Sequence, residues 1–97
     1  MAIKVIGLIE LKDAQAFEEY RTHVGQTVAQ YHGHIEHRGV VTDVFWNELD
    51  CKPFSAYVEL SFPSKEDAKG WAQSAEYQAL LKVRQQAMTL TLFGVAL

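Results

Sequence analysis

The segment from residue 62 to residue 78, FPSKEDAKGWAQSAEYQ, is the most informative part of the sequence about the fold because it joins the end of a strand to an interrupted helix. Residues 54–62 alternate apolar and polar side chains, which is typical of a strand, and Pro63 cannot donate a hydrogen bond to a strand ladder. Ser64 with Asp67 approximates a capping box, and Ser74 begins a further helical turn. The segment therefore predicts a strand followed directly by a helix in two pieces.

The N-terminal half adds a strand, a helix and a second strand. Residues 2–11 carry apolar side chains on both faces of a period-two pattern, so something is expected to cover each face. Asp13 is the predicted N-cap of an amphipathic helix, which Gly33 can end in the left-handed conformation. Residues 34–49 are rich in β-branched and aromatic side chains and predict one long strand, bulged near Gly39.

A last apolar segment, residues 89–97, predicts a fourth strand and completes the order β-α-β-β-α-β. This is the order of a ferredoxin-like α+β protomer, in which a four-stranded antiparallel sheet carries both helices on one face. The other face would leave Ile6, Leu8 and Tyr57 in water, a larger apolar patch than monomers usually expose. We therefore expect a homodimer through the sheet faces, which is a dimeric α+β barrel.

Composition limits the function classes. The 97 residues suit a single domain, residues 1–97, and the net charge of −3 makes nucleic-acid binding unlikely. No apolar run reaches the roughly 20 residues of a membrane helix, so no membrane partner is expected. The single cysteine, Cys51, cannot form an internal disulfide, and a cytoplasmic location is the expectation. The glycines stand singly rather than in a phosphate-binding loop, and no cofactor is expected.

Several motifs resemble those of a known family. They are Arg38-Gly39, Phe62-Pro63, and the run Trp71-x-x-Ser-x-Glu-Tyr-Gln that continues to Arg84. Together they resemble a family of small bacterial dimeric α+β-barrel proteins described only as a domain of unknown function. The resemblance spans essentially the whole chain and implies a fold related to that of antibiotic-biosynthesis-type monooxygenases. Val40, Trp46-Asn47 and Ser61 depart from the family pattern, which implies a pocket of different polarity.

The segment His32-Gly33-His34-Ile35-Glu36-His37 looks like a metal cluster, but strand geometry argues against one. On a regular strand His34 and Glu36 point to one face and His37 to the other, so three ligands would converge only at a bulge. We therefore predict no metal site.

Arg38 needs an anionic partner because a guanidinium in an otherwise apolar strand is costly to leave unpaired. It could bind the carboxylate of a ligand. The alternative is a salt bridge with Glu59 or Glu36, or a position at the rim of the dimer, and the sequence favours this alternative.

Aromatic residues on the inward helix faces, Tyr20, Trp71 and Tyr77, are either core or the wall of a ligand cavity. With Arg38 they are the predicted ligand-binding residues, and His37 and Glu59 are the candidate catalytic bases. Three functions stay open. The dimer could be a cofactor-independent monooxygenase- or isomerase-like enzyme, a non-catalytic binder of a small aromatic or acidic metabolite, or a scaffold without ligand.

Overall fold

The sheet of the computed structural model, which describes residues 2–97, has four antiparallel strands. They are β1 (Ile3–Leu11), β2 (His34–Val40), β3 (Ala56–Phe62) and β4 (Met88–Ala96), in the spatial order β2-β3-β1-β4. β1 lies in the interior of the sheet and pairs with β3 along one side and β4 along the other. The predicted ferredoxin-like α+β fold is confirmed.

The helices begin where the sequence places their caps. α1 (Ala14–Ala29) follows Asp13, whose carboxylate accepts from the backbone N–H groups of Gln15 and Ala16. α2 (Lys65–Gln73) follows Ser64, which accepts from the Asp67 N–H and donates to the Asp67 carboxylate at 3.0 Å. Ser74 ends α2 and caps the short α3 (Ala75–Gln78), and α4 (Leu81–Ala87) leads into β4. These side chains satisfy backbone donors that the first helical turn leaves free.

One face of the sheet packs against the helices and forms the core. Ile3, Val5 and Ile9 of β1 are buried there, and so are Leu60 and Phe62 of β3. The side chains of β1 that alternate with them lie on the other face, which no helix of residues 2–97 covers; we call it the open face. No helix within residues 2–97 has both the length and the apolar character needed to cross a membrane.

The structure corrects three sequence predictions. β2 ends at Val40, and residues 41–55 form a loop rather than the continuation of a long strand. Phe45 and Trp46 of this loop are more than 80% exposed. They therefore lack the packing on a sheet surface that their strand propensity reflects. The left-handed residue after α1 is His32, with φ of 66°, and not Gly33. The bulge of β2 lies between Ile35 and His37, not near Gly39.

Candidate functional site: an apolar cavity with a cationic mouth

The bulge in β2 determines which side chains reach the helix side of the sheet. Ile35 pairs with Leu60 of β3, and the next pair along the strand is His37 with Glu59, so Glu36 is the extra residue. Because side chains alternate along a strand, one extra residue reverses the faces of everything that follows. Arg38, opposite Val58, is therefore placed on the helix side, and His37 joins Glu59 on the open face.

A cavity of about 370 Å³ lies between α1 and the helix side of the sheet. Most of its lining is apolar and comes from α1 and all four strands. The lining includes Phe17, Val24, Ile35, Leu60, Met88 and Leu90. Leu11, Val40 and Arg38, which also line the cavity, are exposed and mark its mouth. A volume of this size is at the lower end of the range for small-molecule sites.

The cavity wall contains two cations and no acidic residue. Arg38 and Arg21 line it, and no aspartate, glutamate, histidine or cysteine of residues 2–97 does. Partial burial, and then the neighbouring guanidinium of Arg21, lowers the pKa of Arg38. Arginine nevertheless remains protonated at physiological pH, so the mouth of the cavity is positively charged.

Arg38 has no partner in the part of the chain that the structure describes. The expected salt bridge with Glu59 or Glu36 is wrong, because the bulge puts Arg38 on the helix side of the sheet while those carboxylates pair with Lys4 on the open face. Both are instead paired with Lys4, whose ammonium nitrogen forms an ion pair with Glu36 and lies 3.6 Å from Glu59 Oε2. The guanidinium of Arg38 is therefore free for a ligand.

Aromatic side chains from α1 and α2 form the deeper wall. Trp71 and Tyr20 both line the cavity. The Trp71 Nε1–H donates to Thr27 Oγ1 at 3.0 Å, which fixes the indole against α1. Tyr77, the third predicted aromatic, is buried outside the cavity lining: its ring centroid lies 4.5 Å from that of Trp71, and its hydroxyl oxygen is 2.9 Å from the hydroxyl oxygen of Tyr20. The structure thus brings Arg38, Trp71 and Tyr20 to the cavity and places Tyr77 behind them.

The hydroxyl of Tyr20 belongs to a buried hydrogen-bond chain. Arg84 donates to the Tyr77 hydroxyl oxygen at 2.9 Å, and the Tyr77 and Tyr20 hydroxyls share a hydrogen bond in which either can donate. Burial, and then the neighbouring Tyr77, raises the pKa of Tyr20 well above its ordinary value. Tyr20 is therefore a neutral phenol at physiological pH and does not serve as a base.

The two candidate bases, His37 and Glu59, lie on the open face. With Glu36 they place three possible metal-ligand atoms within 4.8 Å of one another. The bulge in β2 is what lets three ligands from this segment and its neighbour converge on one face. The Lys4 ammonium forms ion pairs with both carboxylates and offsets one of their two negative charges, and the Tyr57 hydroxyl donates to Glu59 at 2.8 Å. The hydrogen bond from Lys4 lowers the pKa of Glu36. That the protein has no metal site stays a prediction.

Arg21 is the cavity residue that sequence reasoning missed. It lies four residues after Phe17 and three before Val24, the spacing that puts all three on one stripe of a helix. Its guanidinium carbon is 5.9 Å from the centre of the Phe17 ring. This spacing was the signal that could have identified it.

Comparison with known families and structures places the chain. Residues 4–96 match the model described as Domain of unknown function (DUF1330). The chain belongs to the DUF1330 family. No curated protein sequence matches this family member.

Three solved structures with the same fold are distant in sequence. A protein of unknown function from Rhodopseudomonas palustris, RPA0582, is 17% identical with a TM-score of 0.78, over 97% of this chain and 80% of its own. SnoaB, a cofactor-independent oxygenase from Streptomyces nogalater, is 8% identical with a TM-score of 0.69, over 99% of this chain and 92% of its own. A dimeric ferredoxin-like protein of unknown function from Thermobifida fusca is 14% identical with a TM-score of 0.62, over 100% and 92%. At these identities the similarity establishes the fold.

Proposed function

We propose that this DUF1330 protein is a homodimer in which each subunit binds a small, mainly apolar molecule between α1 and the sheet. The observation that carries the proposal is the cavity of about 370 Å³. Its walls are aromatic and aliphatic side chains, and its mouth carries the positive charge of Arg38, which is unpaired within residues 2–97. Apolar pockets with a few polar groups are the usual form of small-molecule sites. A small aromatic or acidic metabolite fits this description.

Binding without turnover is the activity that the lining supports best. The ionisable side chains of the wall are those of Arg38, Arg21 and tyrosine, and the Tyr20 phenol keeps its proton. His37 and Glu59 lie across the sheet, so neither reaches a molecule in the cavity of its own subunit. General-base catalysis requires hydrogen-bond reach to the reacting proton.

The dimer is proposed on the apolar surface that a single subunit exposes. Ile6 and Phe93 are cross-strand neighbours on the open face, and Phe93 is 44% exposed. In the loop, Phe45 and Trp46 together expose roughly 300 Å². This exposed apolar area is comparable to the largest apolar patch of a typical monomer, and a stable interface buries ~800 Å² per partner. Fold neighbours are also described as dimeric.

A second candidate is a cofactor-independent oxygenase, which the fold similarity to SnoaB favours. Such activity would consume oxygen in the presence of an electron-rich substrate such as a quinol, and an oxygen electrode would measure it directly. Consumption that is lost on substituting His37 and Glu59 would favour this candidate over simple binding. We propose a cytoplasmic location for either activity, because the lone Cys51 needs no oxidising compartment.

Fluorescence can test the binding proposal because only one tryptophan lines the cavity. The chain has two tryptophans, and Trp46→Phe removes the exposed one and leaves Trp71 as the reporter. We expect aromatic acids, keto acids or quinols to change the Trp71 emission at saturable concentrations. Val24→Phe should fill the cavity and abolish the change, whereas Thr22→Phe, on the exposed side of α1, should not. Equal binding to both variants, or no response to any compound, would refute the proposal.

A further inference from the structure

The charge of the cavity wall is of one sign only. Its two charged residues are Arg38 and Arg21, and no carboxylate of the described residues lines it. Glu18, outside the lining, pairs with Arg21 and acts on Arg38 at longer range. An apolar cavity needs no charged residue to hold a neutral molecule. Two guanidinium groups beside one mouth repel each other, and this repulsion is relieved when an anion binds between or against them.

The two arginines are not equivalent. Arg21 donates to Glu18 Oε2 at 3.3 Å on its own helix and stacks near the Phe17 ring. Arg38 makes no hydrogen bond or ion pair within residues 2–97, because Lys4 occupies the carboxylates on the far side of the sheet. Arg38 therefore has its full set of guanidinium donors available at the mouth.

The bulge at Glu36 is the reason that Arg38 lies at the cavity mouth without a carboxylate partner among the described residues. Without the extra residue, alternation would turn Arg38 toward the open face, where Glu59 could pair with it. With the bulge, the guanidinium stands at the edge of a surface formed by Ile35, Val58 and Leu60.

We propose that the cavity selects molecules with an apolar body and a single carboxylate head, and that Arg38 binds the head. This inference rests on the proposed binding function and adds the class of ligand. The planar fork of the guanidinium matches the two oxygens of a carboxylate, and the apolar body displaces water from the cavity beneath it. Arg21 contributes charge at longer range.

A series of three compounds with one body tests the inference. We choose 4-phenylbutanoate, 4-phenylbutanamide and 4-phenylbutylamine, which share an apolar part and differ in the charge of the head. Titration of the Trp46→Phe protein at neutral pH should give the acid an affinity about tenfold higher than the amide, with the amine weakest. Added salt should weaken binding of the acid and leave the amide unchanged.

Variants of Arg38 identify the head-binding group. Arg38→Gln should reduce the preference for the acid to less than about threefold while the amide binds as before, and Arg38→Lys should give an intermediate preference. Lys82→Gln removes one exposed positive charge that does not line the cavity, and it should leave the preference intact. Circular dichroism of each variant confirms that it is folded.

The outcomes separate the two proposals. If the amide binds the wild-type site as tightly as the acid, or if Arg38→Gln keeps the tenfold preference, the carboxylate inference is wrong and the binding cavity stands. If none of the three compounds binds and the broader panel is also silent, the proposed function fails and this inference with it.

Discussion

The buried hydroxyl of Tyr20 predicts that the protein loses stability in alkali. Its pKa is raised in the folded state by burial and by Tyr77, whereas an unfolded tyrosine ionises near pH 10. Above that pH the unfolded chain releases a proton that the folded protein retains. The contribution of Tyr20 to stability is therefore complete below about pH 10 and falls as the pH rises further.

The size of the effect follows from the ionisation of the unfolded state alone. With an unfolded pKa of about 10 and a folded pKa far above it, the loss is about 0.06 kcal/mol at pH 9 and about 1.4 kcal/mol at pH 11. Tyr20→Phe has no proton to lose at this position. The wild type should therefore lose about 1.4 kcal/mol more than Tyr20→Phe between these two pH values.

Urea unfolding followed by circular dichroism at a fixed protein concentration measures this difference. The pKa values of Lys4 and Tyr57 are also raised, by hydrogen bonds to Glu36 and Glu59, but these groups are present in both proteins and cancel. The fixed concentration matters because a dimer is stabilised by mass action. Parallel stability curves from pH 9 to 11 for wild type and variant would show that the Tyr20 hydroxyl is not held in a buried hydrogen bond.

Two further predictions concern the fold and the assembly. A Cβ at Gly25 would meet nothing within 4 Å, so Gly25→Ala should raise stability by about 1 kcal/mol and the Tm, measured by calorimetry, by roughly 4–8 °C. A Cβ at Gly33 would lie 2.6 Å from the Phe62 ring, so Gly33→Ala should lower stability by about 1–3 kcal/mol in the same calorimetric experiment. A lower Tm for Gly25→Ala than for Gly33→Ala would contradict this contrast. Phe93→Glu should weaken the dimer at least about 100-fold, which light scattering would show as a change in mass from twice 11.0 kDa to 11.0 kDa. Gln85→Glu on α4 should leave the dimer intact. A wild type that is monomeric at micromolar concentration would exclude the dimer.

Local sequence signals were sufficient for the helix starts and the order of the elements. Asp13, Ser64 and Ser74 cap helices through contacts with residues two or three positions away, and contacts of this range can be read from spacing. The prediction of one strand over residues 34–49 is wrong after Val40, because strand formation depends on contacts that are distant in sequence. Strand propensity reports how well a side chain packs on a sheet, and Phe45 and Trp46 are too exposed to pack on this one.

The candidate site was harder to predict because one bulge controls it. The sequence identified Arg38 as a cation in need of an anion, but its preferred partners, Glu59 and Glu36, are on the other face. Whether a strand carries a bulge depends on pairing with its neighbour along the whole ladder, which no short motif encodes. The same displacement brought His37 beside Glu59, on the face of the sheet opposite the aromatic wall at Trp71.

Nuclear magnetic resonance of the ligand complex tests whether the cavity and Arg38 together hold an apolar carboxylate. The two tryptophans give two indole N–H signals, and Arg38 gives a side-chain Nε–H signal. On adding 4-phenylbutanoate, the signals of Trp71 and Arg38 should move together along one saturation curve while that of Trp46 stays in place. Movement of His37 and other open-face signals, with Trp71 and Arg38 unchanged, would contradict the account.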